Sequence, residues 1–397
     1  MATEQAVSSP GPVPVPTPPP SPSPARSLAR RVRNRLDGFF ALLTRRPVSL
    51  YGTAVLRIGY GLLYLAFLLR EFPHRDEIWG PGSPWTPALA RELFYDTGWA
   101  SILTLSDSRP YFECCYALAV ITAALFMLGW RTRAVSVLFA VVVASFHARS
   151  IFMTDGGDNL ILLMAMYLVF TGCGRRWSLD ARRARLRAAR QNGPVRPGDE
   201  DEEGDGLRPN LLFARRTLVT VAHNCALFVI AAQVCFLYGS AGLYKVQGGS
   251  WGNGTALHYV LNLNLFQPWP ALSHLADSHP ALLGAACYLT VLPQVAFPFV
   301  LFGRLKYPVL TMLFGMHLGI AVLMGLPLFS GAMIIADSVF LPDRFYESLR
   351  RLCRRATGRA DVPEASLPGA GPAAVPQQAG PRQAEREQEA SADQPRS

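Results

Sequence analysis

Among 38 basic side chains only Lys245 and Lys306 are lysines; the rest are arginine. Lys245 closes a long apolar segment, in the run Tyr244-Lys245-Val246-Gln247-Gly248-Gly249-Ser250-Trp251-Gly252-Asn253-Gly254. Arginine stays protonated, whereas a buried lysine can lose its proton and act as a base. Two plainer readings stand beside that one: a genome that favours arginine, and a lysine that snorkels to water. Other ionisable or amide groups also fall inside apolar runs, where each is a functional candidate because it is costly there. They are Arg57, His147, Arg149, His223, Asn224, Gln233, His317 and Asp337. Arg57 and Asp337 are read first as a structural pair or as helix glue, and His223 as a histidine satisfied by a neighbouring helix. Asp155-Gly156-Gly157-Asp158-Asn159 forms a tight turn, and its polar groups join His147, Arg149, Lys245 and Trp251 in one cluster at the outer ends of the spans.

The elements that must hold these groups are membrane spans. Half of the 397 residues are hydrophobic and 17% are charged, with the charges outside the apolar runs. Several runs reach the roughly 20 residues that cross a bilayer core. The expected fold is an all-α integral membrane bundle of about eight transmembrane helices. Its spans are read at 50–69, 111–130, 134–153, 159–174, 218–243, 281–302, 307–326 and 328–341. A Pro- and Arg-rich tail at 1–35, an acidic loop at 191–210 and a tail at 351–397 lack the apolar content for a core and are expected to be disordered. Residues 36–350 form the transmembrane domain.

Arginines between spans two and three, four and five, and six and seven, and after span eight, all fall on one side of this arrangement. By the positive-inside rule that side is the cytoplasm, with both termini on it, in a multi-pass protein of the cell membrane. The net charge of +10 is therefore a topology signal and not a nucleic-acid one. The seven cysteines show neither zinc-ligand nor C-x-x-C spacing. A disulfide from Cys114 or Cys115 to a distant partner is left open. No phosphate loop, nucleophile elbow or H-E-x-x-H is present. Two outer segments, 70–110 and 246–280, are rich in Trp, Tyr and Phe, as expected at an interface; they would also make a lid over an apolar ligand.

The segment Tyr238-Gly239-Ser240-Ala241-Gly242-Leu243-Tyr244-Lys245, followed by Trp251, Gly254, Ala256 and Tyr259, resembles the HTTM domain. This is the transmembrane domain shared with vitamin K-dependent γ-carboxylases. Arg57-Ile58-Gly59-Tyr60-Gly61, the block from Asp158-Asn159 to Trp177-Ser178-Leu179-Asp180, and His317 with Gly325, Phe329 and Met333 are similar to further blocks of that family, in the same order over about 40–350. The resemblance implies a quinol-dependent membrane enzyme with Lys245 as the base and a reduced quinone such as vitamin K hydroquinone as cofactor. It carries His317 and Asn159 as further catalytic candidates. Trp251, Gly254, Tyr259, Arg57 and His147 are carried as substrate-binding candidates. No metal site is expected. Leu160 stands where the carboxylases have His, and a short tail stands where they carry a large C-terminal region. A membrane protein of sporulation-delaying toxin maturation is also similar and lacks that region. The alternative is therefore a non-catalytic accessory protein in maturation or export of a secreted peptide, with that peptide or a maturation protein as partner. A transporter is a third, weaker reading.

Overall fold

The computed structural model describes residues 33–191 and 207–356, apart from Leu36, Phe39, Leu42 and Phe302. The acidic run at 199–203, most of the N-terminal tail and the tail beyond 356 lie outside the described residues. The described chain is helical, with no strand. Eight apolar helices overlap the eight runs read from hydropathy, but the fourth ends at Leu168 and not at 174, and the fifth begins at Leu207 and not at 218. They are α1 Leu50–Glu71, α2 Arg109–Leu128, α3 Thr132–Arg149, α4 Gly156–Leu168, α5 Leu207–Gln247, α6 Pro280–Val300, α7 Lys306–Leu323 and α8 Pro327–Asp337. Six of them are long and apolar enough to cross a membrane; α4 and α8 are shorter apolar helices. At 1.5 Å per residue the 41 residues of α5 run about 60 Å, twice a bilayer core. The 13 residues of α4 reach only about 20 Å.

Local chemistry sets the ends. Pro110 opens α2, and Gly129 closes it at φ 70°, with its N–H on the carbonyls of Leu125 and Phe126. This is the left-handed C-terminal stop that glycine adopts without strain. Asp155 starts α4 with a capping box: its carboxylate accepts from the N–H groups of Gly157 and Asp158, and the Asp158 carboxylate accepts from the Asp155 N–H. Asp180 caps α3 from a distance, accepting from the N–H groups of Arg131 and Thr132 and from the Thr132 hydroxyl.

The helices up to Tyr346 belong to one compact unit, and the described residues 347–356 belong to another. In the first unit α1 packs on α2, α2 on α3 and α3 on α4, while α5, α6 and α7 pack in series. The short α8 touches α1, α4, α5 and α7, and so joins the two groups. Its small residues allow this: Ser330, Ala332 and Ala336 are buried. The main core gathers Tyr60, Phe126, Phe139, Leu160 and Met164 with Tyr238, Phe297 and Leu313. The outward face is apolar as well, with Phe228, Phe236, Leu292, Phe299 and Leu318 exposed. A water-soluble surface seldom shows so wide an apolar girdle, whereas lipid accommodates it.

The buried Arg57 does not pair with Asp337. Its guanidinium donates to the carbonyls of Phe126 and Met127, at the C-terminus of α2, and to those of Cys173 and Trp177 in the non-helical exit of α4. Those are carbonyls of a helix end and an irregular turn, where a cation is favoured. His223 serves the same exit. The Gly172 N–H donates to its Nδ1 at 2.9 Å, and its Nε2 lies 2.8 Å from the Val48 carbonyl. That assigns a neutral ring with the proton on Nε2. Asn224 completes the junction by accepting from the Val48 N–H and donating to the carbonyls of Leu43 and Arg46. All seven cysteines are free, and Cys114 is exposed while Cys115 is buried.

Candidate functional site

Lys245 lies in the last turn of α5, half-buried between α5 and α6. Its Nζ donates to the Gln294 side-chain carbonyl at 3.1 Å and stands 3.4 Å from the Ala241 carbonyl. The Trp251 ring covers it at 5.5 Å. No carboxylate is in ion-pair reach of it among the described residues, so both acceptors are neutral. Gln294 is itself buried, on the Pro-containing α6, and its amide N–H points at the Met316 sulfur, 3.2 Å away on α7.

Trp251 reaches the ammonium because the chain reverses straight after α5. The short helix Gly249–Gly252 folds back, and α6 holds it: the Tyr288 hydroxyl donates to the Gly252 carbonyl and the Cys287 thiol to the Gly254 carbonyl. Gly254 has φ 77°, and a Cβ there would lie 3.2 Å from the Gly284 backbone. Only glycine allows both the backbone angle and the approach, so Gly254 shapes the turn that carries Trp251.

Seven residues before Lys245, on the same face of α5, Tyr238 begins a second polar layer. Its hydroxyl donates to Asp337 Oδ2 at 2.8 Å and lies 2.9 Å from His317 Nε2. All three side chains are buried, at 1%, 2% and 0% exposure for Tyr238, His317 and Asp337. With the hydroxyl proton directed at Asp337, His317 Nε2 is the donor to the tyrosine oxygen. Among the described residues His317 Nδ1 and Asp337 Oδ1 have no partner. This is a hydrogen-bonded relay through α7, α5 and α8, with a bare acceptor at each end. Phe329 packs against the His317 ring, centroids 5.8 Å apart.

Phe329 also lines a cavity of about 250 Å³ among α1, α3, α4 and the α7–α8 turn. His147, Trp79, Tyr64 and Asp158 line it too. The structure thus brings Lys245 and Trp251 together, sets His317 in the neighbouring layer and places His147 on the cavity beyond Phe329. Arg57 is committed to carbonyls. Asn159 is exposed and donates to the Asp155 carbonyl within its own turn. Tyr259 is 60% exposed, beside His258.

Of the partners in these layers, Gln294 carries no signal in the sequence, Tyr238 enters only as the first residue of the resembling segment, and Asp337 is a candidate read first as a structural pair or helix glue. The chain matches no family model, no curated protein and no solved structure.

Proposed function

We propose that this chain is a multi-pass membrane enzyme that oxidises a lipid-soluble quinol, with Lys245 as the base. The observation that carries the reading is the unbalanced position of Lys245: a lysine at the end of an apolar helix, hydrogen-bonded among the described residues only to neutral acceptors and covered by Trp251. A group so placed is fitted to meet an acidic hydroxyl or an anionic oxygen arriving from the lipid. The donor set suits a quinol head, which offers a flat ring to an indole and a hydroxyl to an amine.

A quinol would supply a weakly acidic hydroxyl and two electrons for dioxygen. The chain's residues would bind and steer. Lys245 Nζ, in its neutral amine form, takes the hydroxyl proton and becomes the ammonium, Gln294 keeps the amine aimed, and Trp251 excludes water. The relay of His317, Tyr238 and Asp337 offers a path for a proton leaving the site. Resemblance to the HTTM and γ-carboxylase class supports the same assignment of Lys245. In this reading α4 and α8 also cross, both termini are cytoplasmic, and the membrane is the cell membrane. The test is oxidation of a reduced naphthoquinone by the purified protein in the presence of oxygen. Turnover by wild type, lost in Lys245→Arg and in Lys245→Ala, supports a lysine base. Absence of turnover by wild type with several quinols overturns it.

A further inference from the structure

The helix Asp343–Ala356 follows α8 and takes no part in the layers around Lys245. Its first turn is tied to the bundle. The Asp343 carboxylate accepts from the Tyr51 N–H at 3.3 Å, and the buried Tyr346 donates its hydroxyl to the Ser338 carbonyl. Only Leu341 and Pro342 separate the helix from Ser338–Phe340, the turn that extends α8. Phe340 in turn packs on Phe297, in the apolar core. Two residues of chain reach about 7 Å at most, so the helix starts beside the apolar girdle of the bundle.

Its sequence divides cleanly between two faces. At 3.6 residues per turn, Phe345, Tyr346, Leu349, Leu352, Cys353 and Ala356 share about one third of the circumference. Arg344, Arg350, Arg351, Arg354 and Arg355 lie on the rest, with Asp343, Glu347 and Ser348. Tyr346 turns its part of the apolar face onto the bundle. Phe345, Leu349 and Leu352 are exposed, Leu352 at 63%. They stand at i, i+4 and i+7 and form one stripe along the helix.

What covers this stripe must be apolar where the leucines enter and anionic where the arginines lie. The chain beyond 356 offers only Val362, Leu367 and Val375 as large apolar residues. A second copy would set the five arginines of this helix against five more. A bilayer surface with anionic headgroups meets both demands at once, and the helix start already adjoins the lipid-facing girdle.

We infer that Asp343–Ala356 lies on an anionic bilayer surface, with Phe345, Leu349 and Leu352 sunk among the acyl chains and the five arginines on phospholipid headgroups. The inference rests on this helix alone and stands or falls independently of the role of Lys245.

Hydrogen exchange of the full-length protein in nanodiscs tests it. Discs of phosphatidylcholine are compared with discs in which a quarter of the lipid is phosphatidylglycerol, one chain to a disc. Both leaflets have the same composition, so sidedness does not enter. Amides of 345–356 are expected to exchange at least five-fold more slowly in the anionic discs, with those of α2 and α3 unchanged. Leu349→Gln with Leu352→Gln should abolish the slowing, and Arg351→Gln with Arg355→Gln should cut it at least two-fold. Unaltered exchange in α2 and α3 shows that each variant keeps its bundle. Equal exchange in the two discs is the result if a protein partner, a second copy or the chain's own tail covers the stripe, and it overturns the inference. Slowing that survives the loss of both leucines, or that ignores the loss of both arginines, overturns it as well.

Discussion

Lys245 and Gln294 are 49 residues apart in the chain, and Tyr238 is 79 from His317 and 99 from Asp337. Each pair is nevertheless in hydrogen-bond contact. The lysine was legible because its residue type is rare here and it ends an apolar run. The histidine was legible because ionisable groups inside spans are rare. Their partners were not, since an amide and a tyrosine become site residues only when α5, α6, α7 and α8 pack. Tyr238→Phe should show what the relay is worth. It strips the shared hydroxyl and leaves two buried polar groups alone, for a loss of about 1–3 kcal/mol. A lowered unfolding midpoint in detergent, partly restored by adding Asp337→Leu, would agree; additive losses would mean that the two residues do not share a bond. Outside the spans, His258 and then Asn262 donate to Asp277 and hold its carboxyl below the ordinary value of 3.8. A depressed folded value stabilises at pH above the unfolded one and is lost as pH falls through the folded value. Packing of Ala256–Leu261 on Pro270–Asp277 should therefore be indifferent to Asp277 titration at neutral pH. It should loosen only below about pH 3.8. Hydrogen exchange in those helices checks this, and Asp277→Asn should raise exchange already at neutral pH.

At the scale of elements, the irregular chain beyond α4 accounts for the shortness of that helix. Helix stops at Leu168, and residues up to Ser178 continue as irregular backbone with Thr171, Cys173 and Ser178 buried. Irregular backbone at membrane depth is tolerated only where protein satisfies it. Arg57 and His223 do that, which is why these two ionisable groups lie within apolar helices. A one-dimensional hydropathy reading sees 159–174 as one span and has no means of seeing a helix end propped by residues from α1 and α5. Arg57→Leu should leave up to four carbonyls without their donor and cost roughly 3–5 kcal/mol. Gly129→Ala should also destabilise. A Cβ there would lie 2.7 Å from the Arg57 guanidinium and 2.5 Å from Ser178, at a backbone φ of 70°. Both losses read out as unfolding midpoints in detergent. A Gly129→Ala protein as stable as wild type would show that the α2 end is not packed on Arg57 in this way.

The unit up to Tyr346 is a helical bundle; its apolar helices were legible as apolar runs in order, whereas the contacts of α8 with α1, α4, α5 and α7 were not. How many of the runs cross is decided by α4 and α8, whose helices are too short alone. With eight crossings, cysteines introduced into the 192–206 loop and at either terminus label only after the cytoplasmic side is opened. A cysteine replacing Asn253 labels from outside. A loop that labels from outside would mean that α4 turns back within the bilayer. The functional claim is narrower than the topology and has its own test. Purified protein is given a reduced naphthoquinone and oxygen, and quinol oxidation is followed for wild type, Lys245→Arg and Lys245→Ala at matched folding. The account predicts turnover in wild type and at least a hundred-fold loss in both variants, because a positioned base typically contributes 10²–10⁴-fold and arginine keeps the charge without the basicity. Turnover that survives in Lys245→Arg would contradict it, and would leave Lys245 as a binder of anions.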